Sequence, residues 1–150
     1  MDDVTYVRER IESYADYTDQ DARHLVDKQI RAWVGEALSR LRERLAPPAE
    51  SGAALDALLL HCEFSDQRVI RAADHGSFGE PGLMDRIHGF DRALVEIAEN
   101  AGEIDLPHLS GYIQRIDALF EERFGAIKAA QEAERSVLRE GPERRPVCER

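Results

Sequence analysis

The sequence predicts an all-α protein, an up-down-up-down four-helix bundle with an additional short N-terminal helix. Three observations carry that expectation. Apolar residues recur at three- and four-residue spacing over long stretches, helix breakers divide the chain at five places, and no stretch alternates with the two-residue period of a strand. The breakers are Tyr17-Thr18-Asp19, Ala46-Pro47-Pro48, His75-Gly76-Ser77-Phe78-Gly79, Ala101-Gly102 and Gly141-Pro142.

The first segment, about residues 3–16, sets Val4, Val7, Ile11 and Tyr14 on one helical face. Asp19 or Asp21 then opens a long helix with Val26, Ile30, Trp33, Ala37, Leu41 and Leu45 as its stripe. Val34 and Leu38 widen that stripe to the breadth a bundle core requires, and Trp33 is the largest expected anchor. Ser51 suits the N-cap of a third helix that carries Leu55, Leu58, Leu59, Cys62, Val69 and Ala73 inward. Pro81 suits the first turn of a fourth, with Leu83, Ile87, Phe90, Leu94 and Ile97 as its stripe.

Asp105 and Pro107 open the fifth helix in the same way. Its stripe runs through Leu109, Ile113, Ile116, Phe120, Phe124 and Ile127, and the helix extends to about Arg139. Short connections favour antiparallel neighbours. The fifth helix then overruns the bundle by two or three turns, and the first helix is expected to pack on that overrun. Residues 1–140 form one domain on this reading, and 141–150 are a tail with no core to join.

A chain of 150 residues suits a single domain, and 43% hydrophobic with 33% charged residues marks it as folded. Its formal charge of −10 repels phosphate backbones and anionic lipid, so neither nucleic acid nor membrane is an expected partner. Arg40, Arg42 and Arg44 lie close together, but Glu36 and Glu43 offset them on a solvated helix face. No apolar run has transmembrane length and the acidic start MDDVTYVRER lacks a signal-peptide core, so a cytoplasmic location is expected. Cys62 falls on an apolar stripe and Cys148 in the tail, an arrangement that makes neither a disulfide framework nor a metal-type pair.

One pattern that carries chemistry occurs twice. Asp21-Ala-Arg-His24-Leu-Val-Asp27 and Asp85-Arg-Ile-His88-Gly-Phe-Asp91 are both Asp-x-x-His-x-x-Asp near a helix start. The two helices run parallel in the expected bundle, which brings the copies to similar height. Carboxylates and imidazoles projecting from several helices are how bundles hold iron, manganese or zinc, so Asp27, His24, His88 and Asp91 are candidate metal ligands. Helical angles oppose the idea. Asp21 and Asp85 point away from the stripes, the two histidines lie on the flanks, and only Asp27 and Asp91 reach the core edge. Acids in a first turn also follow from the helix dipole alone.

Asp66 differs, because it falls within the apolar stripe between Cys62 and Val69. A carboxylate there must be paired, hydrogen-bonded or protonated. One reading is a buried pair with Arg31, Arg68, Arg123 or His88 that fixes helix register. The other joins Asp66 to His88 and Asp91 as the polar centre of a metal or acid–base site. His61-Cys62-Glu63 is a poor chelate, since consecutive helix residues face different ways. The loop from Asp74 to Gly82 offers Phe78 as an interaction anchor. No phosphate-binding loop or nucleophile motif is present, so no cofactor beyond a divalent metal is expected.

HLVDKQIRAWV, DHGSFGEPGLMDRI and LFEERF resemble, in collinear order, bacterial helical-bundle proteins that sequester the principal sigma factor. The glycine loop departs from that pattern in its spacing, and no functional residue is carried across. Taken together, the residues point to a small non-catalytic interaction or regulatory protein that meets a protein partner or a second copy of itself. The competing expectation is a metal-binding, enzymatic bundle.

Overall fold

The computed structural model describes residues 1–14, 17, 20–64 and 81–140, without the side chains of residues 20, 81, 83 and 131–140. Among them are helices α1 (Asp3–Arg10), α2 (Gln20–Leu45), α3 (Ala49–Glu63), α4 (Pro81–Glu99) and α5 (Leu106–Glu140), with a 3-10 turn at Asn100–Glu103. The described residues include no strand.

Helix starts follow the capping chemistry at most positions. The Asp2 side chain accepts from the Thr5 amide and caps α1. Pro81 is the first residue of α4. The Asp105 carboxylate accepts from the His108 amide at 3.3 Å and caps α5. Its pKa is lowered chiefly by the His108 side-chain hydrogen bond. Ser51 is not the cap of α3. That helix begins at Ala49 behind Pro48, whose carbonyl accepts from Gly52 at 2.7 Å, because the extended Pro47-Pro48 pair sets the entry direction two residues earlier.

Ala46 closes α2 in the left-handed region at φ 44, with its amide bonded to the Arg42 carbonyl. The Cβ makes that conformation cost about 1–2 kcal/mol, and the following proline restricts the residue further. Ala46→Gly relieves the strain but adds backbone entropy to the unfolded chain, so a net gain of roughly 0.5–1 kcal/mol is expected. Urea denaturation of the two proteins checks this; a lower midpoint for the variant would refute the strained geometry.

Helix directions alternate along the chain. Arg42 pairs with Asp56 and Arg31 reaches the His61 carbonyl, so α3 runs antiparallel to α2. Trp33 Nε1 donates to the Val95 carbonyl and Arg44 Nη2 donates to the Ala101 carbonyl, so α4 runs parallel to α2. The Tyr112 hydroxyl bonds the Ile97 carbonyl, and Arg123 pairs with Asp91, which sets α5 antiparallel to α4. The lateral neighbours are α2 with α3, α2 with α4, α3 with α5 and α4 with α5. Among the described residues this places the four in the cyclic order α2, α3, α5, α4, with α3 and α4 on a diagonal.

The core follows the expected stripes: Val26, Ile30, Val34, Leu38 and Leu41 from α2, Leu55 and Leu58 from α3, Ile87 and Leu94 from α4, and Leu109, Ile116 and Ile127 from α5 are all buried. Each such side chain contributes about 1.5–3 kcal/mol on burial. Gly35 lets α2 and α3 approach closely, since a Cβ there would lie 3.2 Å from Cys62 Cβ.

Four expectations need correction. The first helix stops at Arg10, and Ile11 is extended, because Tyr14 is drawn inward by polar partners described below. That helix packs on α4 rather than on the overrun of α5. Polar contacts on the outer face of α4 decide this: Arg92 pairs with Asp3, Arg10 pairs with Glu99, and both guanidiniums sit over the Tyr6 ring at 4.4 and 3.6 Å. The third helix ends at Glu63 with Phe64 extended, so it has 15 residues against 26 in α2. Trp33 is half-buried at the rim rather than central, where its indole N–H finds a carbonyl. The 35-residue α5 exceeds the 19-residue α4 in length by about 24 Å at helical rise. Residues 65–80 and 141–150, with Asp66, Val69, Ala73, Phe78 and Cys148, lie outside the described residues.

Candidate functional site

The polar centre of the bundle is built from helix positions that face the core yet carry charge. Asp27 on α2, Asp91 on α4 and Arg123 on α5 are at most 1% exposed, and Arg31 and His88 are buried beside them. Asp27 lies between Arg23 and Arg31 on one face of α2, and Arg123 lies three residues past Phe120 on the apolar stripe of α5. Tyr14 and Tyr17 enter from the segment linking α1 to α2, and both are buried.

Arg123 holds the centre. Its Nε donates to Asp91 Oδ1 at 2.6 Å, its Nη1 to Asp27 Oδ1 at 2.7 Å and its Nη2 to the Tyr17 hydroxyl at 3.1 Å. Arg31 Nε donates to the other Asp27 oxygen at 3.0 Å, while its Nη1 donates to the His61 carbonyl at 2.7 Å. Its guanidinium also lies 4.7 Å from the Phe120 ring centroid. The Tyr14 and Tyr17 hydroxyls both donate to Asp91 Oδ2, Tyr14 at 2.6 Å. Two carboxylates thus face two guanidiniums across α2, α4 and α5.

One proton can be placed by elimination. The single hydroxyl proton of Tyr14 goes to Asp91, so the 2.8 Å contact between that oxygen and His88 Nδ1 requires the ring to donate. The neutral imidazole is therefore the Nδ1–H tautomer, and it stands edge-on to Tyr14 with the ring planes at 74°. Burial, with the Asp91 charge next, drives the Tyr14 hydroxyl well above its ordinary pKa. Burial does the same to Tyr17, with Asp91 adding to it and Arg123 opposing. For Arg123, burial pulls downward, but Tyr17, Asp91 and Asp27 more than reverse it. Both tyrosines stay neutral and Arg123 stays charged at neutral pH.

No known family, curated protein or solved structure matches this chain.

Of the candidate ligands, Asp27, His88 and Asp91 come together through Arg123 and the tyrosines. His24 does not join them; it is exposed on α2. Each oxygen of Asp27 and Asp91 already accepts from a guanidinium or a phenol. A cation placed there would meet two fixed positive charges, so this donor set suits ion pairing better than coordination. Among the described residues, no group of three His, Cys, Asp or Glu side chains is placed to hold a metal ion. The arrangement works as a clamp that fixes the height of three helices and the docking of Tyr14 and Tyr17.

Periodicity alone reached Asp27 and Asp91, while Arg31 and Arg123 were legible only as possible partners of Asp66. Arg23 and Arg123 both sit on apolar stripes, the same signal that singled out Asp66, and both are fully buried. Tyr17 had no such signal, since it lies in a segment with breaker residues on either side.

Surface features stand apart from the clamp. A cleft of about 510 Å³ opens beside Trp33, Arg40, Arg44 and Gly102, but Arg44 Nη2 is held there by the Ala101 and Ile104 carbonyls. Ala53, Ala57 and Leu60 on α3 and Phe64 just past its end are exposed, with Leu60 at 54% and Phe64 at 66%. No described helix is long and apolar enough to cross a membrane.

Proposed function

We propose that this chain is a small, non-catalytic interaction module of the cytoplasm that presents a helix face to a protein partner. The observation that supports this reading is the solvent side of α3. A surface helix of a globular protein sets polar residues opposite its buried stripe. In α3 the buried stripe is Gly52, Leu55, Leu58 and Cys62, and the opposite side carries Ala53, Ala57 and Leu60, with the exposed Phe64 directly after the helix. An apolar line of that kind, rimmed by polar groups, marks an interaction site more often than an accident of composition.

The buried clamp agrees with a non-catalytic role. Each of its carboxylate oxygens already accepts a hydrogen bond, and its tyrosines are held neutral far beyond neutral pH. Cross-linking in cells followed by purification of the chain tests the reading; a defined stoichiometric protein partner is expected. Elemental analysis of untagged protein purified without chelators tests the competing one, with a clearly substoichiometric metal content expected. A full equivalent of iron, manganese or zinc, lost on His88→Ala with the fold retained, would replace this proposal with a metal-binding bundle.

A further inference from the structure

Resting on that interaction reading, we infer that the partner of α3 is an amphipathic helix whose apolar anchors are flanked by lysine or arginine. Ala53, Ala57, Leu60 and Phe64 follow one another at four, three and four residues, the spacing of a seam that packs against another helix. At 100° per residue the mean direction of Ala53, Ala57 and Leu60 lies nearly opposite that of Leu55, Leu58 and Cys62, so the other described helices do not cover them. Phe64 is extended at φ −118 and leaves the helix at the end of this line, where an aromatic side chain is 66% exposed.

Charge selects the occupant. The helix carries Glu50, Asp56 and Glu63 and no lysine or arginine. On one side, a groove of about 410 Å³ runs between Ala54 and Ala57 of α3 and Ser110, Gln114 and Asp117 of α5. Its charged lining residues, Glu50 and Asp117, are both acidic. Small side chains on the floor admit a helix closely, and the acids stand where flanking bases of that helix would lie. A second copy would bring the same acids against each other, on chains that each carry a formal charge of −10. Like-charge rims oppose that association, whereas a basic helix is both steered and held.

The test uses the full chain and three labelled synthetic peptides. One places leucine on one helical face with lysine at the flanks, the second replaces lysine with glutamate, and the third scrambles the first so that no apolar face forms. The lysine amphipath alone should bind in fluorescence anisotropy, and its affinity should fall as salt rises. Leu60→Asp and Phe64→Ser should each weaken it at least about tenfold, since each removes a large apolar contact. Both residues are exposed, so circular dichroism and the melting temperature should stay at the wild-type values. Equal binding by these variants, or by the scrambled peptide, overturns the assignment of this face while leaving the general interaction reading to the cell cross-linking result.

A photocrosslinking amino acid in place of Leu60 separates the other occupants. A cross-link to the lysine peptide supports the inference. A covalent dimer would assign the face to a second copy, and a cross-link within the chain to residues 65–80 would assign it to the protein's own segment. Either result overturns the basic helix.

Discussion

Arg123→Met is expected to destabilise the protein by about 3–5 kcal/mol, a large part of the about 5–15 kcal/mol that holds a typical domain folded. The side chain fits the volume but removes the cation that Asp27 and Asp91 share. Arg31 still pairs with Asp27, and two phenols still donate to Asp91, so Asp91 suffers most. Its charge would then sit fully buried with hydroxyls alone to hold it. Tyr17 also loses the guanidinium donor to its oxygen.

Adding Asp91→Asn in the Arg123→Met background should recover part of the loss, because the amide needs no counter-ion. Chemical denaturation of the single and double variants measures both steps. A loss below about 1 kcal/mol for Arg123→Met would mean that the cluster is open to water, and a double variant weaker than the single would deny that uncompensated charge is the cause.

Alkaline pH should unfold the chain through its tyrosines, the second large effect expected. Burial first, then the charge of Asp91, raises the hydroxyl pKa of Tyr14. Burial leads for Tyr17 too; Arg123 opposes the rise and Asp91 adds to it, and the net shift is upward. The unfolded chain ionises from about pH 10, while the folded chain keeps both protons. The folded state then binds more protons than the unfolded one, so stability falls as pH rises. Each tyrosine contributes a decline of about 1.4 kcal/mol per pH unit above 10, or roughly 3 kcal/mol for the pair at pH 11.

The Cys62 thiol, pushed up to about 11 by burial, begins the same decline earlier, and Tyr112, pushed up to about 12, continues it. Below about pH 8 none of these groups makes stability depend on pH. Urea midpoints at pH 8, 10, 10.5 and 11 follow the curve. Tyr14→Phe should be less stable at pH 8, having lost its bonds to Asp91 and His88, yet should decline less steeply above pH 10. A variant as steep as the wild type would place Tyr14 outside the buried cluster.

How legible was the clamp before folding? Asp27 and Asp91 stood out because each sits at the core edge of its helix in the same short pattern, and both are buried at one height. His88 joined them and His24 did not, although the two occupy equivalent positions in that pattern. The difference lies in neighbours. His88 is met by Tyr14 from the linking segment, whereas His24 faces solvent on α2. Helical angle alone cannot distinguish a flank that another segment covers from one that stays bare.

The sequence by itself determined the elements. Apolar spacing specified the helices and their buried faces, and Pro81 and Asp105 marked where two of them begin, because backbone dihedrals and capping bonds are local; Ser51 misplaced the start of a third. It also determined that some charges must be buried, since they occupy stripe positions. Tertiary structure alone decided which charges meet. Arg123 is 96 residues from Asp27 and 32 from Asp91 along the chain, and only the cyclic order of the helices brings one guanidinium between them. It also decided that α1 lies on α4 and that, among the described residues, one face of α3 is left uncovered. Both outcomes depend on which surfaces remain after the core has closed, a quantity no local spacing contains.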